Sequence, residues 1–331
     1  MTCRAALRLL RAGASWAATV ARALRAAVVP QHREAHGPLV SVIIATFDWS
    51  SVLRHAIASV QAQTHQDWEL IVVGDGCSDD SEAVVTAIGR SDERVRWLGL
   101  PVNSGSQSSP NNAGIAAARG HWIAYLGHDD LWLPDHLERL VAAADRTGRR
   151  VAFALSAQIG PAGSDVLRIG PLRPVRDGSG VPPSALLHER SLVETAGGWR
   201  DFRELTLSPD YEFVRRLIAT ADRAARSDAL TVLKFNSALR PGSYRDRRDD
   251  EQAAMLARLR TARRRTVVGL LARYAWMQAR RVREQPAGFR PAPADAGPGW
   301  HVHEWRHIRG LPPLPGSQWS GTSGRQGPEG D

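Results

Sequence analysis

Only two cysteines, Cys3 and Cys77, occur in the 331 residues. They form no disulfide framework and sit at no metal-ligand spacing, so a reducing, cytoplasmic setting is expected. Long apolar runs are missing as well. A membrane-spanning helix needs about 20 consecutive apolar residues, and the longest candidate, 12–21, is short and flanked by Arg11 and Arg22. No Gly-x-Gly-x-x-Gly follows the first predicted strand and no Gly-Lys-Ser/Thr loop occurs, which argues against dinucleotide-dependent dehydrogenases and P-loop enzymes. Internal repeats are absent. Lysine is almost absent too: Lys234 is the single one among 43 basic residues.

The formal net charge is +9. A basic chain suits nucleic acid, anionic lipid or phosphorylated substrates, and the placement of the charge decides how it is read. Residues 1–33 carry Arg4, Arg8, Arg11, Arg22, Arg25 and Arg33 and no acid, and a second basic block runs from Arg245 to Arg283. Between them, residues 38–150 are far more balanced, so the basicity belongs to the flanks. No nucleic-acid partner is expected, because neither a recognisable binding module nor an aromatic platform accompanies the charge.

The hydrophobic fraction of 43% is enough for one large domain with additions. From Pro38 onward, apolar strand-like runs alternate with helical spacing. Strands are predicted over 39–47, 68–74, 94–100, 121–127 and 151–160, with helices over 52–63, 79–89, 110–119 and 134–144 between them. Each strand is apolar on both faces, the pattern of a mostly parallel sheet flanked by helices in an α/β domain. Ligands of such sheets bind beyond the carboxyl ends of the strands. The stretch "WIAYLGHDDLW" (122–132) therefore places Asp129 and Asp130 at a site edge, not in the core, and Asp75 follows the second strand in the same way. A hard divalent cation bridging a carboxylate to phosphates would use such residues. Aspartates there also form turns and cap helices, and both readings stand on residue type alone.

Later segments are looser. Residues 184–199 read as strand, helix and Gly-Gly turn, 208–221 as a helix capped by Ser208 with Pro209 at its first position, and 229–235 as a strand. The chain divides into a basic N-terminal helical arm (1–37), a main domain (38–245, with halves 38–150 and 151–245), a basic amphipathic helical extension (246–285) and a Pro/Gly-rich, irregular tail (286–331). The arm also fits a poorly ordered terminus, a transit peptide or a helix lying on anionic lipid.

The order of the pieces resembles the family 2 glycosyltransferases of the GT-A fold. "SVIIATFDWSS" matches their first strand, Ser59–Thr64 the Ser-Val-x-x-Gln-Thr of the next helix, and "VGDGCSD" the second-strand Asp-Asp-Gly-Ser motif. Asn103–Gly105, the Asn-x-Gly-x-x-x-Ala-x-Gly helix at Asn112–Gly120, and "LGHDD" in place of Leu-Asp-x-Asp-Asp follow in order. The resemblance implies an inverting glycosyltransferase. It would move a sugar from a nucleotide-diphosphate sugar to a glycan or lipid-linked hydroxyl acceptor, in cell-surface polysaccharide or glycolipid synthesis. Such a protein would be cytoplasmic, with peripheral contact to the inner membrane face through its basic flanks. Asp129 would hold Mn or Mg. Thr46, Phe47, Asp75, Asn111, His128 and Asp130 would line the nucleotide-sugar site, and Asp210, at the start of "PDYEFVRRL", would be the general base, with Glu212 second.

This chain departs from the family pattern in three places. Gly74 and Gly127 stand where the two motifs begin with Asp, and Asn111 stands where Arg often meets the nucleotide. A catalytically weakened, glycosyltransferase-like nucleotide- or partner-binding protein is the alternative these changes imply. A nucleotidyltransferase would need a Gly-rich basic loop that "TFDWSS" lacks. Three further features carry open readings: His301, His303 and His307 as a metal cluster; Val267, Leu270, Leu271, Tyr274 and Trp276 as a core or lipid-facing stripe; and Arg240, Tyr244 and Arg245 as a phosphate grip or a surface loop.

Overall fold

The computed structural model describes residues 3–28, 35–172, 180–280 and 296–314, with Val175 and Pro293 between them. Helix α1 (Cys3–Val28) is followed by β1 (Val40–Thr46), α2 (Ser50–Gln61), β2 (Trp68–Asp75), α3 (Ser81–Ser91), β3 (Val95–Leu100), α4 (Ser108–Ala117) and β4 (Trp122–Tyr125). A two-residue strand, β5 (Leu131–Trp132), precedes α5 (His136–Thr147), β6 (Val151–Ile159) and β7 (Leu167–Gly170). Then come β8 (Leu186–Glu189), α6 (Leu192–Ala196), α7 (Pro209–Thr220), β9 (Ala225–Lys234), α8 (Ser243–Asp246), α9 (Asp250–Ala279) and α10 (Trp300–Arg309).

The strands form one sheet in the order β3-β2-β1-β4-β8-β6-β9-β5, with β7 on β6. The first four are all parallel, as expected. Beyond β4 the sheet is mixed: β8 is antiparallel to both β4 and β6, while β6 and β9 are parallel. A parallel neighbour needs a long crossover, usually a helix. Between β6 and β8 the described residues hold only β7 and a single 3-10 turn, Pro183–Ala185, so the strands there reverse direction.

β1 shows why both faces are apolar. Val40, Val42 and Ile44 pack with Leu53, Ala56, Ile57 and Val60 of α2, while Ile43 joins Ile71 and Ile123 on the opposite face. Gly114 lets α4 settle on that second face, since a Cβ there would lie 2.6 Å from Ile43 Cγ2. A buried acid ties the sheet together at its other end. Glu69, 2% exposed, accepts from Ser41 Oγ (2.6 Å), Arg119 N (2.7 Å) and Arg119 Nε (2.9 Å).

Helix α1 is packed: Val20, Ala23 and Ala27 lie against β9 and α9 in a third apolar cluster, and Arg22 pairs with Asp228 at 2.7 Å. The stripe on α9 divides. Val267, Leu271 and Tyr274 are buried in that cluster, Leu270 is half-buried, and Trp276 points out, 51% exposed, with Arg280 over its ring. α5 begins at His136, two residues after Pro134, so Pro134 is not its first residue. The tail expected to be irregular forms α10 over Trp300–Arg309. Gly299 and Gly310, both in the left-handed region, bracket it, and the flanking Pro/Gly composition hides this short helix from a reading of averages.

Candidate active site

The carboxyl ends of β1, β2 and β4 open onto a cavity of about 390 Å³. Thr46, Phe47, Asp75, Asn111, His128, Asp129 and Asp210, distant in sequence, all line it. Asp130 does not. It is 1% exposed and lies beneath the floor, where its carboxylate accepts from Ser184 Oγ (2.6 Å), Lys234 Nζ (2.7 Å) and Phe235 N (3.2 Å). It also does not cap α5, whose N-cap is Asp135. Burial works against the charge on Lys234, and the Asp130 and Asp129 carboxylates outweigh it, so the ammonium is held above the ordinary lysine value.

Asp129 differs from its neighbour. Its carboxylate makes no hydrogen bond among the described residues, while its carbonyl accepts from Gln252 Nε2 at 3.2 Å. Gly127 makes room for this arrangement: a Cβ there would meet Asp130 Oδ2 at 2.9 Å and Asp129 Oδ1 at 3.1 Å. Gly74 has a comparable reason. A Cβ would lie 2.2 Å from the Trp97 ring, so the indole takes the space of the family's first acid.

Asp75, 4% exposed, accepts from Ser104 N (2.9 Å), Ser104 Oγ (3.1 Å) and Asn103 Nδ2 (3.1 Å), and so fixes the 103–105 loop at the cavity wall. Burial raises its pKa despite those bonds. Asn111 is buried on the wall, with no side-chain hydrogen bond among the described residues. Phe47 stacks on Tyr244 at 6.4 Å between ring centroids.

His128 is 7% exposed, which excludes a solvent-facing loop position. Its Nδ1 meets Thr46 Oγ1 at 2.9 Å and its Nε2 meets Tyr244 Oη at 3.0 Å. With both ring nitrogens engaged, no lone pair is left for a metal. Burial drives its pKa down to about 4, and burial also takes His136 to about 3 and His188 to about 4. In the unfolded chain these imidazoles protonate near pH 6.5. Between about pH 6.5 and 4 the unfolded state therefore binds more protons than the folded one, and stability falls as pH falls. Thermal unfolding should show a melting temperature that is flat above pH 7 and declines steadily from pH 6.5 to 4.5. A constant value over that range would contradict neutral buried histidines.

Asp210 is the second residue of α7, behind Pro209. Its Oδ1 is buried without a hydrogen-bond partner. Glu212, the other candidate base, is held by a fork from Arg216 (2.9 and 2.8 Å) with Arg200 at 3.4 Å, and it does not line the cavity. The Gly-Gly-Trp turn before α7 is locked to the first half of the domain. Asn112 Nδ2 donates to Trp199 O at 2.7 Å, Trp199 N returns a bond to Asn112 Oδ1 at 2.8 Å, and a Cβ on Gly198 would clash with that amide at 2.5 Å.

Among the described residues the histidine cluster of the tail does not form a metal site, and the one other group of possible ligands is already engaged. His301, His303 and His307 bring no three ligand atoms together; among the described residues only Asp48, Cys77 and Asp79 do so. Those carboxylates already accept backbone N–H groups: Asp48 from Ser78 and Asp79, and Asp79 from Ser50 and Ser81. Burial holds the Cys77 thiol protonated, with its pKa near 11. The phosphate grip also divides. Arg240 pairs with Glu251 and Arg245 with Asp246, both away from the cavity, and only Tyr244 reaches it.

Residues 41–166 match the family described as glycosyl transferase family 2. This stretch is a family 2 glycosyltransferase domain. An uncharacterized glycosyltransferase of Nostoc sp. is 40% identical over 103 residues, 31% of each chain. The succinoglycan biosynthesis protein ExoO of Rhizobium meliloti is 40% identical over 115 residues, 35% of this chain and 32% of that one. The match thus spans about a third of these relatives' length. S. aureus TarS 1–349 in complex with UDP-GlcNAc superposes with a TM-score of 0.51 at 16% identity, over 82% of this chain and 81% of that chain. At that identity the likeness shows the fold, which is GT-A.

Some wall residues of the cavity lie outside the matched stretch and were not legible in the sequence. Lys234, Trp305, Arg306 and Arg309 all line the cavity. The signal available was the i, i+3 pair Arg306/Arg309, which a helix places on one face, inside a segment whose composition reads as irregular.

Proposed function

We propose that the chain is an inverting glycosyltransferase. It moves a sugar from a nucleotide-diphosphate sugar to a hydroxyl of a glycan or lipid-linked acceptor, in cell-surface polysaccharide or glycolipid synthesis. One observation carries the reading: Asp210, with a buried carboxylate oxygen, and Asp129 line a single cavity, and among the described residues neither that oxygen nor the Asp129 carboxylate has a hydrogen-bond partner. Asp210 accepts the acceptor hydroxyl's proton as that oxygen attacks the anomeric carbon. The bond to the diphosphate breaks on the opposite face, its electron pair leaves with the phosphate, and configuration inverts. Thr46, Phe47, Asp75 and Asn111 form the nucleoside wall.

The residues fit a divalent cation. Mg is commonly held by one or two carboxylates plus substrate phosphates and water, and Asp129 offers one carboxylate not engaged elsewhere. Bound there, Mn or Mg would supply positive charge against the leaving diphosphate. The name of ExoO, a succinoglycan biosynthesis protein, supports a polysaccharide role. No helix among the described residues is long and apolar enough to cross a membrane. Peripheral contact at the cytoplasmic face is supported by exposed Trp276 and by Arg258, Arg260, Arg264 and Arg265 of α9, which are exposed and make no ion pair among the described residues.

The test is nucleotide release from UDP-, GDP- and dTDP-sugars with Mn, Mg or EDTA. Slow metal-dependent release from one donor is expected, reduced about 10- to 100-fold in Asp129→Ala, the range a lost charge-assisted contact of about 1.5–3 kcal/mol gives. Donor binding without release, with or without acceptor, would favour the binding-protein alternative.

A further inference from the structure

The segment 296–314 lines part of the cavity, through Val302, Trp305, Arg306, Arg309 and Leu311, and is fastened at several points. Gly299 N donates to Leu205 O (2.8 Å), and Ile308 O accepts from Gly242 N (2.9 Å). Val302 and Leu314 pack with Phe202. Leu314 also fills the space above Gly105, where a Cβ would lie 2.5 Å from its Cδ1. This strap holds Arg306 and Arg309 at the cavity wall.

Among the described residues neither arginine has a carboxylate partner. Arg306 is 8% exposed, and three of its five N–H groups donate, to Pro312 O (3.3 and 3.1 Å) and Asn103 Oδ1 (3.3 Å), all neutral acceptors. Asp75 is the carboxylate whose charge acts on it, and that carboxylate is already bonded to Asn103 and Ser104. Arg309 makes no hydrogen bond or ion pair among the described residues. Its Nε is buried without a partner, and its guanidinium stands 6.0 Å from the Tyr244 ring and 5.9 Å from the Trp305 ring. Burial and repulsion from Arg309 depress the pKa of Arg306, with Tyr244 and Asp75 countering. Buried charges are ordinarily paired, so two like charges brought together at a cavity call for an anion. The planar guanidinium fork matches phosphate oxygens.

We infer that Arg306 and Arg309, delivered by the C-terminal strap, form the subsite that receives the donor's diphosphate. The inference rests on the cavity being the donor site. It also gives Gly127 a consequence: where one carboxylate, Asp129, is left to hold a cation, part of the positive charge facing the diphosphate comes from the chain itself.

The test is calorimetric binding of UDP, GDP and dTDP, and of their nucleosides, in EDTA. Arg309→Gln is the main variant, because Arg309 makes no hydrogen bond whose loss would disturb folding; Arg306→Lys is the second. For the diphosphate that binds best, the dissociation constant should rise about tenfold or more in Arg309→Gln, by less in Arg306→Lys, and nucleoside affinity should stay as in the wild type. The wild-type affinity should weaken with salt more steeply than that of Arg309→Gln. An unchanged diphosphate affinity in Arg309→Gln, or an equal loss for nucleoside and diphosphate, would overturn the inference while leaving the donor site in place. Failure of the wild type to bind any of the three diphosphates, with or without metal, would remove the donor-site reading itself.

Discussion

Asp210→Asn is expected to lower kcat by about 10²–10⁴-fold, the usual contribution of a positioned general base, with little change in donor affinity. The substitution keeps the shape of the side chain and removes its capacity to take a proton. Among the described residues Asp129 is the other wall carboxylate without a hydrogen bond, and the proposed mechanism gives that one to the cation. Glu212 is engaged by Arg216 and Arg200, Asp75 by Asn103 and Ser104, and Asp130 lies beneath the floor with Lys234. The buried Oδ1 without a partner matters here, because a buried acceptor left open is costly unless a ligand completes it. An acceptor hydroxyl would supply that donor. Steady-state rates with acceptor, alongside donor binding by calorimetry, separate the two effects. Wild-type kcat in Asp210→Asn would exclude it as the base, and a fall in donor affinity as large as the fall in kcat would make it a binding residue.

Lys234→Met is expected to destabilise the fold by about 3–5 kcal/mol, the usual cost of stranding one member of a buried ion pair. The chain's only lysine ends β9 beside a carboxylate that is 1% exposed. Ser184 Oγ and Phe235 N still bond to Asp130 in the variant, but neither carries charge. Asp130→Asn combined with Lys234→Met should recover a large part of the loss, since no uncompensated carboxylate then remains, and the two changes should be strongly non-additive. Urea unfolding of the four proteins in the cycle measures this. A loss below about 1 kcal/mol in Lys234→Met, the size expected of an exposed pair, would show that the pair is hydrated. The same variant should also lose donor affinity, because Lys234 lines the cavity.

The parallel half of the fold was legible because its signals are local. Val- and Ile-rich runs ending in small or acidic residues mark β1, β2 and β4, and helical spacing marks α2, α3 and α4. A parallel sheet with such strands places the residues after them on one edge, so Thr46, Phe47, Asp75 and Asp129 could be grouped from the sequence. Asn112, Gly114 and Gly120 were visible as a motif, and the structure gives each a packing reason: a clasp on Trp199, contact with Ile43, and room for Ser41, whose N would lie 2.6 Å from a Cβ on Gly120.

What the sequence determined by itself was thus the strand–helix alternation, the edge where ligands belong and the chemistry of the carboxylates on it. The tertiary structure decided how those carboxylates divide. Asp129 and Asp130 are adjacent and identical in type, yet one faces the cavity and the other is sealed against Lys234, more than a hundred residues away. His128 became a neutral bridge between Thr46 and Tyr244 for the same reason. Arg306 and Arg309 joined the wall only through a strap fastened at Leu205, Gly242 and Gly105. Alternation and local spacing are written in neighbouring residues, whereas burial and charge pairing depend on which distant segments the fold brings together.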